Sequence, residues 1–288
     1  MSEKPNHLLC FGFGFSAQAL AAILPPDQWA ITGTSRSVQG CGKIRDLGFD
    51  AVVFNDDTPL KTSLLDSVSH VVVSAPPGKT GDPVLKLHGR HLAERAAHIK
   101  WLAYLSTTGV YGDRQGGWVD ENSSLEPSTL RGSARLAAET GWLDLWRDEG
   151  LAVHLFRLAG IYGPGRNQLQ SLKSGKARRI VKQGQVFSRI HVADIAGILQ
   201  ASIERPNPGS AYNVCDDEAA PPQDVVAYAA ELLGIEPPPE IVFEDAELSD
   251  MAKSFYAESK RVSNQKVKTE LGYSFIYPTY HQGLKALV

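Results

Sequence analysis

The sequence predicts an α/β fold in which a doubly wound parallel sheet, with helices on both faces, is followed by a smaller C-terminal lobe. Three observations carry the prediction. Short β-rich runs alternate with helical patterns through about the first 160 residues. Runs such as Val71-Val72-Val73 are continuously apolar instead of alternating, as in strands covered on both faces. A glycine-rich turn joins the first strand to the first helix.

In order, a strand over His7–Phe11 leads into a helix over Ser16–Leu24. Strands follow at Ala30–Thr32 and Ala51–Phe54, then a strand at His70–Ser74 with a helix over Asp82–Ile99. Trp101–Ser106 is a strand, a helix lies within Ser128–Asp148, and Val153–Leu158 is a further strand. From Ile161 the rhythm changes. Gly163-Pro164-Gly165 and Pro237-Pro238-Pro239 punctuate a stretch richer in Gly, Pro and charge. Val192–Glu204 and Gln223–Leu233 read as helices there, and Tyr212-Asn213-Val214 as a short strand returning to the first sheet. The expected division is a dinucleotide-binding domain over 1–160 and a substrate lobe over 161–288, with a segment near 188–215 rejoining the first.

With 288 residues, 43% hydrophobic and 21% charged, the chain can bury a sizeable core and is too apolar for disorder. A net charge of -3 gives no field that would draw it to nucleic acid or an anionic membrane, so neither is expected as a partner. Cys10, Cys41 and Cys215 are odd in number and widely spaced, without a CxxC pair. Neither a metal nor a structural disulfide is expected from them. Lys4 is followed only by a short apolar stretch, Leu8 to Phe15, broken by glycines, and no run approaches the roughly 18 apolar residues of a membrane span. The expected setting is cytoplasmic.

Gly12-Phe13-Gly14-Phe15-Ser16-Ala17 follows the first strand and opens an Ala-rich helix, the context in which GxGxx(G/A) signals a dinucleotide site. Gly12 permits the tight turn, Gly14 lets backbone approach a pyrophosphate, and the small Ala17 lets helix and strand pack closely. Phe15, Ser16 and Ala17 then present helix N-terminal N–H groups and a partial positive charge to the phosphates. The domain is thus Rossmann-like. An NAD site usually places Asp or Glu about 20 residues past this loop, and an NADP site a cation. Between Gln28 and Arg45 there is no acidic residue, and the second strand is followed by Ser35-Arg36-Ser37, two hydroxyls flanking a guanidinium. That set suits a 2′-phosphate, so NADP(H) is expected over NAD(H). Ser74-Ala75-Pro76 after the fourth strand forms a small-residue turn for close cofactor approach, and Asn55-Asp56 after the third is set for adenine. Both also read as ordinary βα loops.

Leu105-Ser106-Thr107-Thr108-Gly109-Val110-Tyr111-Gly112 resembles the fifth-strand motif of extended short-chain dehydrogenases/reductases. Arg157 to Gly165 is similar to that family's R-x-x-x-x-YGPG segment, and Arg189 to Ala196 to a later segment around HVxDxA. Lys260-Arg261-Val262-Ser263-Asn264 with Leu271-Gly272-Tyr273 is similar to its C-terminal pattern. The resemblance, to the extended and atypical members of the superfamily and its epimerase/dehydratase branch, runs in order along nearly the whole chain. It implies a nicotinamide cofactor, a nucleotide-sugar or other small polar substrate in a cleft between lobes, and pairing of two copies through the helices at Asp82–Ile99 and Ser128–Asp148. Thr107 falls at the family's Ser/Thr position.

One departure matters chemically. In the family a Tyr-x-x-x-Lys pair performs the proton chemistry; aligned on Ala134 to Glu139, the Tyr falls on Arg131 and the Lys on Arg135. A guanidinium stays protonated near neutral pH and cannot exchange a proton as tyrosine does. The two arginines, one helical turn apart, face either an anion or a carboxylate such as Glu139. Tyr111, Tyr162 and His191 are the remaining candidate proton donors, each with a structural reading beside it: a packed tyrosine, or a histidine near a helix N-cap. The sequence therefore supports an NADP(H)-dependent oxidoreductase or epimerase-like protein with Arg131 and Arg135 in place of the acid–base pair. Its alternative is a non-catalytic NADP(H)-binding redox sensor.

Overall fold

The computed structural model describes residues 6–288. Among them, β1 (Asn6–Phe11), β2 (Trp29–Ser35), β3 (Asp50–Val53), β4 (His70–Val73), β5 (Trp101–Thr107), β7 (Val153–Leu158) and β11 (Ala211–Val214) form a seven-stranded sheet in the order β11-β7-β5-β4-β1-β2-β3. The strands omitted from that numbering, β6 (Trp118–Val119), β8 (Gly160–Tyr162), β9 (Arg179–Val181) and β10 (Arg189–His191), belong to two-stranded pieces. β1 pairs in parallel with both β2 and β4, so the chain reverses its direction of winding at the β1–β4 boundary. In doubly wound sheets ligands bind at the carboxyl ends of the strands at such a switch point. The expected α/β class is the observed one.

Helices α1 (Phe15–Ile23), α2 (Val38–Asp46), α3 (Thr62–Leu65), α4 (Pro83–Glu94) and α5 (Leu130–Glu149) connect these strands. Several boundaries differ from the sequence reading for identifiable reasons. The strand expected over Ala30–Thr32 continues to Ser35, because Gly33, Thr34 and Ser35 pair with Ala51, Val52 and Val53. The helix expected over Asp82–Ile99 is shorter: Asp82 is its N-cap, with Oδ1 accepting from Val84 N (2.8 Å) and Leu85 N (2.9 Å), and α4 ends at Glu94. Helix α2 has no sequence signal, since Gly40 and Gly42 each cost about 1 kcal/mol in a helix interior. Its start is instead fixed by Ser37, whose hydroxyl accepts from Gly40 N at 3.1 Å.

The chain folds as two compact units, each assembled from three segments. The first takes residues up to Thr107 with Ser133–Arg157 and Ile195–Tyr212. Its core is built from continuous apolar runs on the sheet, Leu9, Phe11, Val71, Val73, Leu102, Tyr104, Val153 and Leu155, packed with Trp142 of α5. The second takes Thr108–Gly132, Leu158–Asp194 and Asn213–Val288. There α6 (Gln168–Lys173) and α8 (Pro222–Leu232) contribute Leu169, Val225 and Ala229 to a smaller core that includes Tyr162, Tyr280 and Leu284. Among the described residues no helix is long and apolar enough to cross a membrane.

Candidate functional site

In the first unit the carboxyl ends of β1, β2, β4 and β5 lie side by side. Three strand spacings of about 4.8 Å separate β2 from β5, so this edge is about 14 Å long. The glycine turn sits after β1. Gly12 has φ +86°, a left-handed conformation, and a Cβ there would lie 2.8 Å from Ser74 Oγ and 3.1 Å from Ala75 N. Both of its backbone polar groups are taken by side-chain hydroxyls from neighbouring strands: Gly12 N donates to Thr34 Oγ1 (2.9 Å), and Ser74 Oγ donates to Gly12 O (2.7 Å). Phe13 N donates to Thr34 O (3.1 Å), and Gln18 Nε2 to Phe13 O (2.9 Å). The Phe13 ring packs where a Cβ on Gly33 would fall, 2.6 Å away. The turn is therefore rigid before any ligand arrives.

Around Gly14 the opposite holds, for a Cβ built there meets nothing within 4 Å. As N-cap of α1, Gly14 offers no side chain to the first-turn N–H groups of Phe15, Ser16 and Ala17, and that turn carries no acid. An open, donor-lined approach next to a braced turn fits the pyrophosphate of a dinucleotide.

After β2, Arg36 is exposed, and among the described residues no carboxylate lies within ion-pair distance of it. Ser35 is half-buried against the first turn of α2, where a Cβ on Gly40 would collide with its Oγ. Asn55 holds the segment from β3, its Nδ2 donating to Arg36 O at 3.1 Å, while Asp56 beside it is exposed. Of the predicted set, Ser37 spends an acceptor position on capping α2 and Ser74 spends its proton on Gly12 O. Ala75 N donates to Phe11 O (2.9 Å), and Pro76 follows in the same turn.

Arg135 reaches the same edge. Its Nη1 donates to Leu105 O, one residue beyond the β4–β5 ladder, which Tyr104 opposite Val73 ends. The guanidinium stands 5.7 Å from the centre of the Tyr104 ring, a cation–π distance. The buried Asp82, whose carboxyl burial pushes up and Arg135 among others pulls down, supplies a nearby opposite charge. The pairing of Arg135 with Glu139 that the sequence left open is not what forms. Glu139 instead takes Arg157 of β7 as a buried partner, Arg157 Nη2 donating to Oε2 at 2.9 Å and Nε to both oxygens at 3.2 Å. This pair anchors α5 to the sheet. Half-buried Thr107 ends β5.

The other candidates lie in the second unit. Arg131 is exposed in the first turn of α5. Tyr111 is fully buried and its hydroxyl donates to Asn213 Oδ1 at 2.7 Å, the arrangement of a packed tyrosine. Tyr162 is also buried, its hydroxyl packed where a Cβ on Gly283 would sit, and burial raises its pKa far above the usual phenol range. His191 precedes α7 (Val192–Glu204) and accepts from Ala193 N through Nδ1 at 3.2 Å; burial lowers its pKa to about 4. It is the N-terminal residue the structural reading describes. Thr34, Gln18 and Tyr104 were missed, and only the strand pattern around Thr34 hints at any of them.

The family model for the NAD dependent epimerase/dehydratase family matches residues 88–215. A solved structure of a functionally unknown conserved protein from Silicibacter pomeroyi is 50% identical, covers 98% of each chain and superposes with a TM-score of 0.90. Residues 88–215 thus match the epimerase/dehydratase family, and nearly the whole chain is similar to a protein of unknown function. Protein YeeZ of Escherichia coli K12 is 29% identical over 284 residues, 93% of this chain and 94% of that protein. Solved structures of more distant sequence share the fold: dTDP-glucose 4,6-dehydratase from Bacillus anthracis, solved with NAD, has a TM-score of 0.78 at 19% identity over 99% of this chain and 95% of its own. UDP-glucuronic acid 4-epimerase from Bacillus cereus, solved with UDP-glucuronic acid and NAD, gives 0.78 at 19% identity over 98% and 97%.

Proposed function

We propose that the chain is an NADP(H)-binding oxidoreductase or epimerase/dehydratase-like protein acting on a nucleotide-sugar or other small polar substrate, with Arg131 and Arg135 in place of the usual Tyr/Lys pair. The observation that carries the reading is the exposed, carboxylate-free Arg36 at the end of β2, on the same sheet edge as the open first turn at Gly14. Gly12, Gly14, Phe15, Ser16 and Ala17 would hold the pyrophosphate; Ser35, Arg36 and Ser37 the 2′-phosphate; Asp56 the adenine. Ser74, Ala75 and Pro76 would line the path toward the nicotinamide, and Arg135 its ribose. When bound, the nicotinamide supplies or accepts the hydride. Thr107 would orient a carbonyl or hydroxyl, and Arg135, held by Leu105 O and the Tyr104 ring, would stabilise negative charge without moving a proton. Solved structures of the same fold, one with NAD and one with UDP-glucuronic acid and NAD, support the cofactor and substrate classes.

A second reading is a non-catalytic NADP(H)-binding sensor. It is favoured by the burial of Tyr111 and Tyr162, which leaves both tyrosine candidates remote from solvent protons. Calorimetric titration with NADPH and NADH, then a hydride-exchange assay over nucleotide sugars and small carbonyl compounds, separates the two. NADPH-selective binding with turnover supports the enzyme, binding without turnover supports the sensor, and no binding overturns both. We further read the protein as cytoplasmic and, by analogy with the family, as a homodimer through α4 and α5. Sedimentation as a monomer at working concentration removes the dimer.

A further inference from the structure

In the second unit β8 and β10 pair in parallel, with Gly160 opposite Arg189 and Tyr162 opposite His191. Residues two apart on a strand share a face, so these four form one block: a bare glycine beside an arginine, and a tyrosine beside a histidine. Asp216 joins the block, its N donating to Arg189 O at 2.7 Å and its carboxyl acting electrostatically on Arg189 and Tyr162. Three polar atoms in it, Tyr162 Oη, His191 Nε2 and Asp216 Oδ2, are buried with no hydrogen-bond partner among the described residues. Their residues are 8%, 3% and 2% exposed. Orphaned polar atoms inside a protein cost about 1–3 kcal/mol each, and three in one block call for a common cause.

Arg189 supplies a charge to the same block. Its Nη1 is shared between Phe187 O (2.8 Å) and Ala220 O (3.0 Å), while Nε and Nη2 have no protein acceptor among the described residues. Asp216 N is hydrogen-bonded to the Arg189 backbone and the carboxyl acts on the guanidinium electrostatically, but among the described residues no ion pair joins the two. The opposite position, Gly160, is exposed, and a Cβ there would meet Ser188 O only at 3.4 Å and Arg189 Cγ at 3.8 Å. The missing side chain leaves a notch beside Arg189 that opens to solvent.

The unmet groups are mostly donors. His191 Nδ1 accepts from Ala193 N, so in the neutral ring the proton sits on Nε2, and the spare Arg189 nitrogens can only donate. Burial pushes the Asp216 carboxyl up to about 8, which keeps it largely protonated and able to donate at neutral pH. We propose that Gly160, Arg189, His191 and Asp216 form a binding site for the oxyanion group, carboxylate or phosphate, of a small molecule entering beside Gly160. In calling that molecule a substrate the proposal rests on the functional reading above; the site itself needs no cofactor.

The test uses ligand-free protein and the ring NMR signals of His191, assigned with His191→Gln. The probes are inorganic phosphate, D-gluconate and D-glucose 6-phosphate, with D-glucose as the uncharged control. Saturable movement of the His191 signals with a charged probe and none with glucose is expected. Response to gluconate alone identifies a carboxylate site, and response to phosphate and glucose 6-phosphate identifies a phosphate site. Gly160→Leu fills the notch without removing any Arg189 contact, and should weaken the responsive probe at least about tenfold while the melting temperature holds. Failure of every charged probe to move His191, an equal response to glucose, or full affinity in a folded Gly160→Leu protein overturns the proposal. NADPH titration of the same samples stands apart, so loss of the cofactor reading and loss of this site are separately visible.

Discussion

The carboxyl edge of β1, β2 and β4 and the start of α5 differ in how much chemistry each retains. At the edge, both polar groups of Gly12 are met by hydroxyls from two adjacent strands, and the first turn of α1 is left open and free of acid. Along α5, Arg131 and Arg135 hold guanidinium groups at the positions that the proposed function gives to an acid–base pair, while the helix itself is locked to the sheet by a buried bidentate ion pair. On that proposal the fold preserves what would bind a dinucleotide while exchanging what would transfer a proton. Binding is held by backbone geometry, which many side chains depend on. Proton transfer rests on two side chains, which can be replaced without disturbing the helix that carries them.

The comparison can be broken or sharpened in several ways. The largest effect is expected from Glu139→Ala, which strands the Arg157 charge inside the first unit and should cost about 3–5 kcal/mol in urea unfolding. A loss below about 1 kcal/mol removes the pair as the anchor of α5. Gly14→Val should leave the ligand-free melting temperature nearly unchanged, because its Cβ meets no atom within 4 Å, yet reduce NADPH affinity at least about 100-fold, about 2.7 kcal/mol. Arg36→Glu should cost NADPH about 2 kcal/mol more than it costs NADH, since it sets like charge against a 2′-phosphate. Unchanged selectivity in competitive calorimetry sinks the assignment of Arg36.

A fourth outcome concerns pH. Burial lowers His70, His154 and His191 to about 4 from an unfolded value near 6.5. The unfolded chain binds these protons first, so their contribution is present above pH 6.5 and is lost as pH falls toward 4. His154, the most deeply buried of the three, should account for about 2 kcal/mol by pH 5. Urea midpoints that do not move between pH 7.5 and pH 5 contradict this. The smallest effect is expected for Tyr111→Phe, about 1 kcal/mol from the lost bond to Asn213, with any turnover retained. A loss of turnover without loss of stability would return Tyr111 to the chemistry.

Much of this was legible in the residues. Continuous apolar runs at Val71-Val72-Val73 and the glycine turn at Gly12 to Ala17 mark a buried parallel sheet and its switch point, because period and backbone conformation are local properties. Helix α2 was hidden by Gly40 and Gly42, which argue against a helix that tertiary packing of Cys41 and Ile44 nevertheless forms. The partners of Glu139 and Tyr111 were hidden as well. Arg157 and Asn213 lie 18 and 102 residues away along the chain, and spacing carries no information about contacts made through the fold.

The bracing of Gly12 also bears on the speed of cofactor capture. A phosphate loop that must order itself around its ligand slows productive encounter, because only a fraction of arrivals find it in the right shape. Here the Thr34 and Ser74 hydroxyls hold the turn in one shape already. Association with a dinucleotide should then proceed in a single phase whose rate scales with concentration, and differences in affinity among turn variants should appear as residence time.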